Sequence, residues 1–503
     1  MRQGAQQILT FAGGIVLART LVPAEFGLFA IATFVVGMIA TLGSFGLVPS
    51  LIQRRVEVSS RELQTGFTIQ LLLAGLGVVL LWFGAPWLAS WFPKAGPAVV
   101  WLIRALALDL VLSLWRSMSA LQLERRMDFR PLAWIETAEA LAYLGASVGL
   151  ALAGFGSWSL VWAVVARGVI GATLVYFVAP WPVRLRLDGA IAKELLRYGL
   201  PFQFQALVNQ ASSWVSLTFV AVVIGPQAVG YLGWASSNGR KPHLIVDNAM
   251  RVAFPHFSRI QDDRVAVESA VSQYLSFLLL PAAYWFVLLL VAGPALVAWV
   301  YTTRWLPAVP ALILFAASLG IDTLTWVLSI ALNSTGRVNP ATAITGVRTL
   351  LLIGLTICFV RWFGYLGVPS ALLVVQVCVL PLLGKAFGWA ALGRCLAAVA
   401  WLVVPTTAAA LLGAAAVHLG HGLGVAVQAL LSSSVVTLAY AGIALASAPR
   451  PIRVQLLRQL RRLRDPRSTK ASAQPNIERE ASPEQTTRPF SPSAVAFRGK
   501  TSP

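Results

Sequence analysis

Six cations stand inside apolar runs of this chain: Arg104, Arg116, Arg167, Arg240, Lys241 and Arg348. Facing lipid at mid-helix, each would cost about 2.5–3.5 kcal/mol, or roughly 15–20 kcal/mol for all six. They must therefore face a wet cavity, pair with acids, or sit nearer a membrane surface than the runs suggest. Three acids in the same runs, Asp109, Glu139 and Asp322, are candidates for ion coupling. An intramembrane carboxylate can bind and release a proton or Na⁺ as its surroundings alternate. Asp109 and Asp322 each lie a few residues before a tryptophan, Trp115 and Trp326. Asp322 has no cation close to it in sequence and is the leading coupling candidate; a buried structural acid is the competing reading. In the coupling reading, Asp322→Asn abolishes export at normal protein levels. Asp109 and Arg116 share a helical face two turns apart and could serve packing alone. Glu136 and Glu139, also on one face, are placed to neutralise Arg104 or Arg167. For Arg240 and Lys241, in "SSNGRKP", a helix bend or an end near water competes with a broken helix lining a cavity.

Other reactive side chains suggest no catalytic or metal centre. Cys358, Cys378 and Cys395 lie in or beside apolar runs without metal-ligand spacing and read as packing residues. His418 and His421 share a short loop, and no HExxH motif occurs. No catalytic residue, metal or cofactor is expected.

The elements that position these charges are membrane helices. The 503 residues are 57% hydrophobic and 12% charged, against about 25% charged in soluble domains. Fourteen candidate spans cover about 4–22, 26–48, 66–90, 97–120, 131–153, 157–179, 200–224, 227–254, 271–292, 307–331, 338–360, 364–384, 398–418 and 423–446. The eighth is markedly polar. Continuous apolar runs, without in–out alternation, exclude barrel strands. The first run starts almost at Met1 and is long enough to span rather than only to target.

The +20 net charge raises the possibility of a nucleic-acid partner, but its placement argues against one. With the N-terminus inside, 16 cations fall in cytoplasmic loops, among them Arg54, Arg55, Arg125, Arg126 and Arg130. Only Arg19, Lys94, Arg304 and Arg361 fall in the opposite loops, which orients both termini to the cytoplasm. In "RPIRVQLLRQLRRLR", Ile452, Leu456, Leu460 and Leu463 recur at helical spacing among arginines, as suits a helix lying on an anionic membrane surface. The Ser/Pro/Glu/Thr-rich remainder reads as disordered. Trp82, Trp87, Trp91, Trp181, Trp299, Trp305 and Trp362 read mostly as an interfacial belt.

Three breaks recur in order along the chain. Pro23 and Gly27 are echoed by Pro226 and Gly230, Pro131 by Pro340, and "GFGSWSL" by "FGYLGVPSAL", at offsets of 203, 209 and about 211. They suggest a six-span duplication whose copies share one orientation, giving two lobes in parallel pseudo-two-fold arrangement with a site between them. The expected division is an N-lobe at 1–180, a cytoplasmic linker at 181–199 and a C-lobe at 200–390. Two further helices at 391–446 and a basic tail at 447–503 complete it.

The segments "LARTLVPAEFGLFAIA", "PSLIQRR", "LERRMDFR", "GFGSWSLV", "YGLPF" and "FPHFSRIQDD" resemble those of bacterial polysaccharide-repeat-unit (Wzx-type) flippases. These belong to the multidrug/oligosaccharidyl-lipid/polysaccharide exporter superfamily, and the likeness is closest to exporters of exopolysaccharide and lipopolysaccharide O-units. It covers about residues 5–400. The first helix begins nearer the start than is usual in that family. The resemblance implies a non-enzymatic flippase in the bacterial inner membrane, moving undecaprenyl-pyrophosphate-linked oligosaccharides by alternating access. It also implies a polymerase and a chain-length regulator as partners, besides membrane lipids. The diphosphate of such a cargo would suit the intramembrane arginines, which bind phosphate oxygens bidentately. Three alternatives stand beside it. A multidrug exporter of the same superfamily would want an acidic cavity. A glycan polymerase or ligase would want a substantial periplasmic loop. A peptidoglycan-precursor flippase is disfavoured only by the loop motifs.

Overall fold

A computed structural model describes residues 2–52, 59–181, 183–450, 452–454 and 457. Arg54 and Arg55, most of the basic helix and the tail beyond it lie outside these residues. All regular structure among the described residues is helical. The first part of the chain runs through α1 (Arg2–Thr20), α2 (Pro23–Ser44), α3 (Leu47–Ile52), α4 (Ser60–Ser90), α5 (Ala98–Leu106), α6 (Leu108–Arg125), α7 (Phe129–Leu152) and α8 (Ser157–Val178). It continues through α9 (Gly189–Val223), α10 (Pro226–Gly239), α11 (His243–Arg259), α12 (Arg264–Val300), α13 (Val309–Ser334), α14 (Val338–Phe363) and α15 (Gly367–Phe387). It closes with α16 (Trp389–Val399), α17 (Val403–Leu419) and α18 (Val425–Ser447).

Several acids outside the apolar runs start these helices. Asp128, Asp188 and Asp263 accept from the backbone N–H of Arg130, Ala190 and Val265 at 3.4, 3.0 and 2.9 Å, opening α7, α9 and α12. Ser59 and Glu62 cap α4 reciprocally: Ser59 N–H donates to Glu62 Oε2 at 2.7 Å, and Glu62 N–H to Ser59 Oγ at 3.3 Å. Pro23 starts α2, where its missing N–H costs nothing, and Glu25 accepts from Val22 N–H at 2.8 Å.

The chain is a multi-pass membrane protein. Among the described residues, ten helical stretches are long and apolar enough to span a bilayer. One of these, Asn339–Phe387, holds both α14 and α15, separated by a turn at Gly364 with φ of 61°. Three of the fourteen expected spans are not among the ten. α1 and α9 contribute shorter apolar stretches, Leu9–Thr20 and Gln210–Val223. The expected eighth span is not continuous; it breaks between α10 and α11 at Arg240–Pro242. Proline there lacks a backbone donor and disfavours helical geometry in the residue before it.

Burying leucine against leucine gains little over leucine against lipid, so close backbone approach and polar ties must select the packing. The repeated Pro–Gly steps make such an approach. A Cβ on Gly27 would lie 1.8 Å from the Pro226 carbonyl oxygen, and one on Gly230 1.9 Å from that of Pro23. Side-chain ties gather at the same end of the bundle. Arg19 donates to the carbonyls of Val300 and Trp299, both at 2.7 Å, and Lys94 Nζ to that of Val223 at 2.5 Å. These cations thereby cap the C-termini of α12 and α9, where the helix dipole favours positive charge. At the far end of α2, Ser44 Oγ donates to Gln203 Oε1 at 2.7 Å. Gly46 and Gly199 approach there almost as closely as the other pair: a Cβ on Gly199 would stand 2.1 Å from the Phe45 carbonyl oxygen.

Two tryptophans assigned to the interfacial belt are core residues. Trp305 is fully buried and donates through Nε1 to the Ala18 carbonyl at 2.8 Å; Trp181 is buried and donates to Ser119 Oγ at 3.2 Å. A buried indole is tolerated because its N–H is satisfied.

Candidate functional site

Most of the intramembrane charges gather into two clusters. In the first, Arg116 on α6 pairs through Nε with Glu139 on α7. α8 makes room for these acids with glycines: a Cβ on Gly171 would stand 2.0 Å from Glu139 Oε1, and one on Gly168 3.1 Å from Asp109 Oδ1. Asp109 makes no hydrogen bond or ion pair among the described residues. The charges acting on it are Arg167, Arg116 and Glu139.

The second cluster is built around Asp322 on α13, which is buried. Arg240 Nη2 donates to Asp322 Oδ2 at 2.6 Å, and Arg348 Nη2 on α14 to Oδ1 at 2.9 Å. Gln376 Nε2 on α15 also donates to Oδ1. Thr325 Oγ1 orients Gln376, donating to its Oε1 at 3.1 Å. His243 Nε2 lies 3.4 Å from Asp322 Oδ2, while its Nδ1 lies 3.3 Å from Asp247 Oδ2. The imidazole also packs on Trp326, with ring centroids 4.9 Å apart. Lys241 points elsewhere: its Nζ sits 3.6 Å above the Phe11 ring of α1.

Arg240 and His243 flank the break between α10 and α11. α10 ends at Gly239, a Cβ on which would meet the Leu312 carbonyl oxygen of α13 at 2.8 Å. That close crossing sets Arg240 and His243 beside α13. Residues three apart also share a face within one helical turn, and both side chains reach the same carboxylate.

Arg240, Arg348 and Asp322 thus come together, as do Arg116 and Glu139, with Asp109 and Arg167 nearby. Arg104 stands apart. Its Nε donates to the Trp82 carbonyl at 2.9 Å, and its guanidinium carbon lies 4.8 Å and 5.4 Å from the Trp101 and Trp82 ring centroids. Neither Glu136 nor Glu139 neutralises Arg104; backbone and aromatic faces receive it instead. Glu139 turns to Arg116 because that side chain reaches it across the α6–α7 interface. His243 and Gln376 were not singled out from sequence. The one local signal was the i,i+4 spacing of His243 and Asp247.

The two paired clusters have opposite polarity. The cation stands on α6 and the acid on α7 in the first; the acid stands on α13 and the cation on α14 in the second. Arg116 and Asp322 are 206 positions apart, Glu139 and Arg348 209, within the spacing of the repeated breaks.

The family described as "Polysaccharide biosynthesis protein" matches residues 16–310. The chain belongs to this family. Similar proteins include the succinoglycan biosynthesis transport protein ExoT of Rhizobium meliloti, 29% identical over 63% of each chain. The lipopolysaccharide biosynthesis protein WzxC of Escherichia coli is 24% identical over 72% of this chain and 74% of its own. The chain therefore spans just under two thirds of ExoT and about three quarters of WzxC. Among solved structures, the lipid II flippase MurJ in an inward closed conformation superposes with a TM-score of 0.67, at 15% identity, covering 88% of this chain and 98% of that one. An inward-facing multidrug-resistance transporter of the MATE family gives 0.57 at 17% identity, covering 78% and 95%. The chain therefore has the fold that these two transporters share.

Proposed function

We propose that the chain is a flippase that moves undecaprenyl-pyrophosphate-linked oligosaccharide repeat units across the bacterial inner membrane. The product would feed exopolysaccharide, capsule or O-antigen synthesis. The observation that carries this reading is the pair Arg240 and Arg348, two guanidinium groups held together on a buried carboxylate within a membrane bundle. Two forks side by side suit a diphosphate better than a cationic drug. An inside-negative potential favours outward movement of an anionic headgroup by about 2.3 kcal/mol per charge per 100 mV.

In this proposal residues 1–180 and 200–390 form two lobes joined by 181–199, and they expose the site alternately to each side. The helices of 391–446 extend the second lobe, and 447–503 form a cytoplasmic tail. Fourteen spans result when α14 and α15 count separately and α1, α9 and the broken α10–α11 also cross. Both termini are then cytoplasmic. The reciprocal glycine contacts and the MurJ-like fold support the arrangement. Coupling to a proton or sodium gradient is assigned here to Asp109, which makes no ion pair among the described residues, whereas Glu139 and Asp322 pair with arginines. No covalent chemistry is needed. A polymerase and a chain-length regulator act on the product.

The deciding experiment is the fate of lipid-linked glycan in cells lacking the protein. Loss of surface polymer with completed repeat units trapped on the inner leaflet is expected. Unpolymerised units on the outer leaflet would mark an enzyme instead, and normal glycan with altered drug sensitivity would mark a drug exporter.

A further inference from the structure

Arg240 and Arg348 already hold an anion. Each gives a guanidinium N–H to one oxygen of Asp322, at 2.6 and 2.9 Å. The acid lies behind them: its side chain is 6% exposed, against 26% for Arg240 and 36% for Arg348. A ligand arriving from the open side therefore meets the guanidinium groups before it meets the carboxylate. Arg348 also keeps its Nε buried without an acceptor among the described residues, so its fork is only partly used.

An N–H that points at a carboxylate cannot also point at a phosphate oxygen; the two anions compete for the same donors. Asp322 has other partners to fall back on. Gln376, oriented by Thr325, contacts it from α15, which carries neither arginine, and His243 lies 3.4 Å from it at the start of α11, three residues beyond Arg240. A buried carboxylate that lost both arginines would keep these two, which reduces the cost of leaving it uncompensated.

We infer that Asp322 is an internal counter-ion, competing with the phosphates of the substrate for Arg240 and Arg348. It cancels one of the two positive charges of the empty site and keeps that site pre-shaped, and it reclaims the arginines as the headgroup leaves on the far side. Asp322 thus trades affinity for release, and it is a positioning residue that acts through the two arginines. The inference rests on the lipid-diphosphate reading above.

The test measures binding and transport separately. Farnesyl diphosphate binding is titrated calorimetrically to the full chain in lipid nanodiscs, and export of repeat units is measured in cells at matched protein levels. Asp322→Asn is expected to bind about ten-fold more tightly, because the competing charge is gone, while its export falls. Arg240→Gln and Arg348→Gln are expected to bind about ten-fold more weakly. Difference infrared spectra of the unaltered protein should show a carboxylate band losing its arginine-bonded position on ligand addition, a change missing in Asp322→Asn. Arginine-dependent binding with no gain in Asp322→Asn, or no carboxylate band shift in the unaltered protein, overturns the inference alone. Binding indifferent to both arginines overturns the diphosphate reading and the inference together.

Discussion

Gly27 and Gly230 lie on reciprocal ground: each is pressed against the carbonyl of the proline that begins the other's helix. The two "P-x-x-x-G" steps, 203 residues apart, are therefore one contact between α2 and α10. Even a methyl group at either glycine would strike backbone, which no rotamer change can relieve. Gly27→Ala is expected to force the helices apart, costing about 1–3 kcal/mol and most of the export activity. Gly14→Ala, where a Cβ meets nothing within 4 Å, is the matched control. Equal thermal stability and export in the two variants would remove the assigned role of the crossing.

Gly171 serves Glu139 in the same way. A Cβ there would stand 2.0 Å from Glu139 Oε1, so Gly171→Ala should displace the carboxylate from Arg116. Leaving one partner of a partly buried pair uncompensated costs about 3 kcal/mol. Glu139→Gln should lose a comparable amount, and the double change Arg116→Gln with Glu139→Gln should recover part of it. Melting temperatures of these variants and of Arg116→Gln alone check this; strictly additive losses of the two single changes in the double variant would mean that the pair is not coupled.

Of the three acids that could serve coupling, Asp109, Glu139 and Asp322, Asp109 is the one without an ion pair among the described residues. Asp109→Asn is expected to leave protein levels and farnesyl diphosphate binding within about two-fold while removing the response of transport to an imposed ion gradient. Transport in proteoliposomes with and without that gradient is the measurement. A retained response would return the coupling role to another group.

Arg104 rests between Trp82 and Trp101, away from both clusters. Arg104→Gln should therefore keep export within about two-fold, the range of an ordinary exposed substitution. A loss as deep as that of Arg348→Gln would place Arg104 in the substrate path.

Trp305 carries a different kind of constraint. Its Nε1–H satisfies the Ala18 carbonyl from a fully buried position. Trp305→Phe keeps an aromatic ring but strands that carbonyl, and a loss of about 1–3 kcal/mol is expected in thermal unfolding. An unchanged melting temperature would show that the oxygen finds another donor.

Much of this protein is local in its sequence. Hydropathy is a sum over consecutive residues, so the helical, multi-pass character follows from local composition. The Pro–Gly breaks and loop segments were likewise local, and they led to the family. Capping acids such as Asp128 and Asp263 also act within a few residues of their own position.

Pairing was not local. Arg240 and Asp322 are 82 positions apart, and Trp305 and Ala18 are 287 apart. Nothing in the intervening sequence states which helix faces which. Sequence gave Asp322 no cation; the tertiary structure gives it two arginines, a glutamine and a histidine. It gave Arg104 two possible acids, and the structure gives it two indole rings. By itself the sequence determined that six cations must be compensated, because a bilayer imposes that cost wherever they fall. Only the packing of α10, α11, α13, α14 and α15 around one carboxylate decided which partners meet, because an ion pair depends on distance and orientation between helices that the chain connects only remotely.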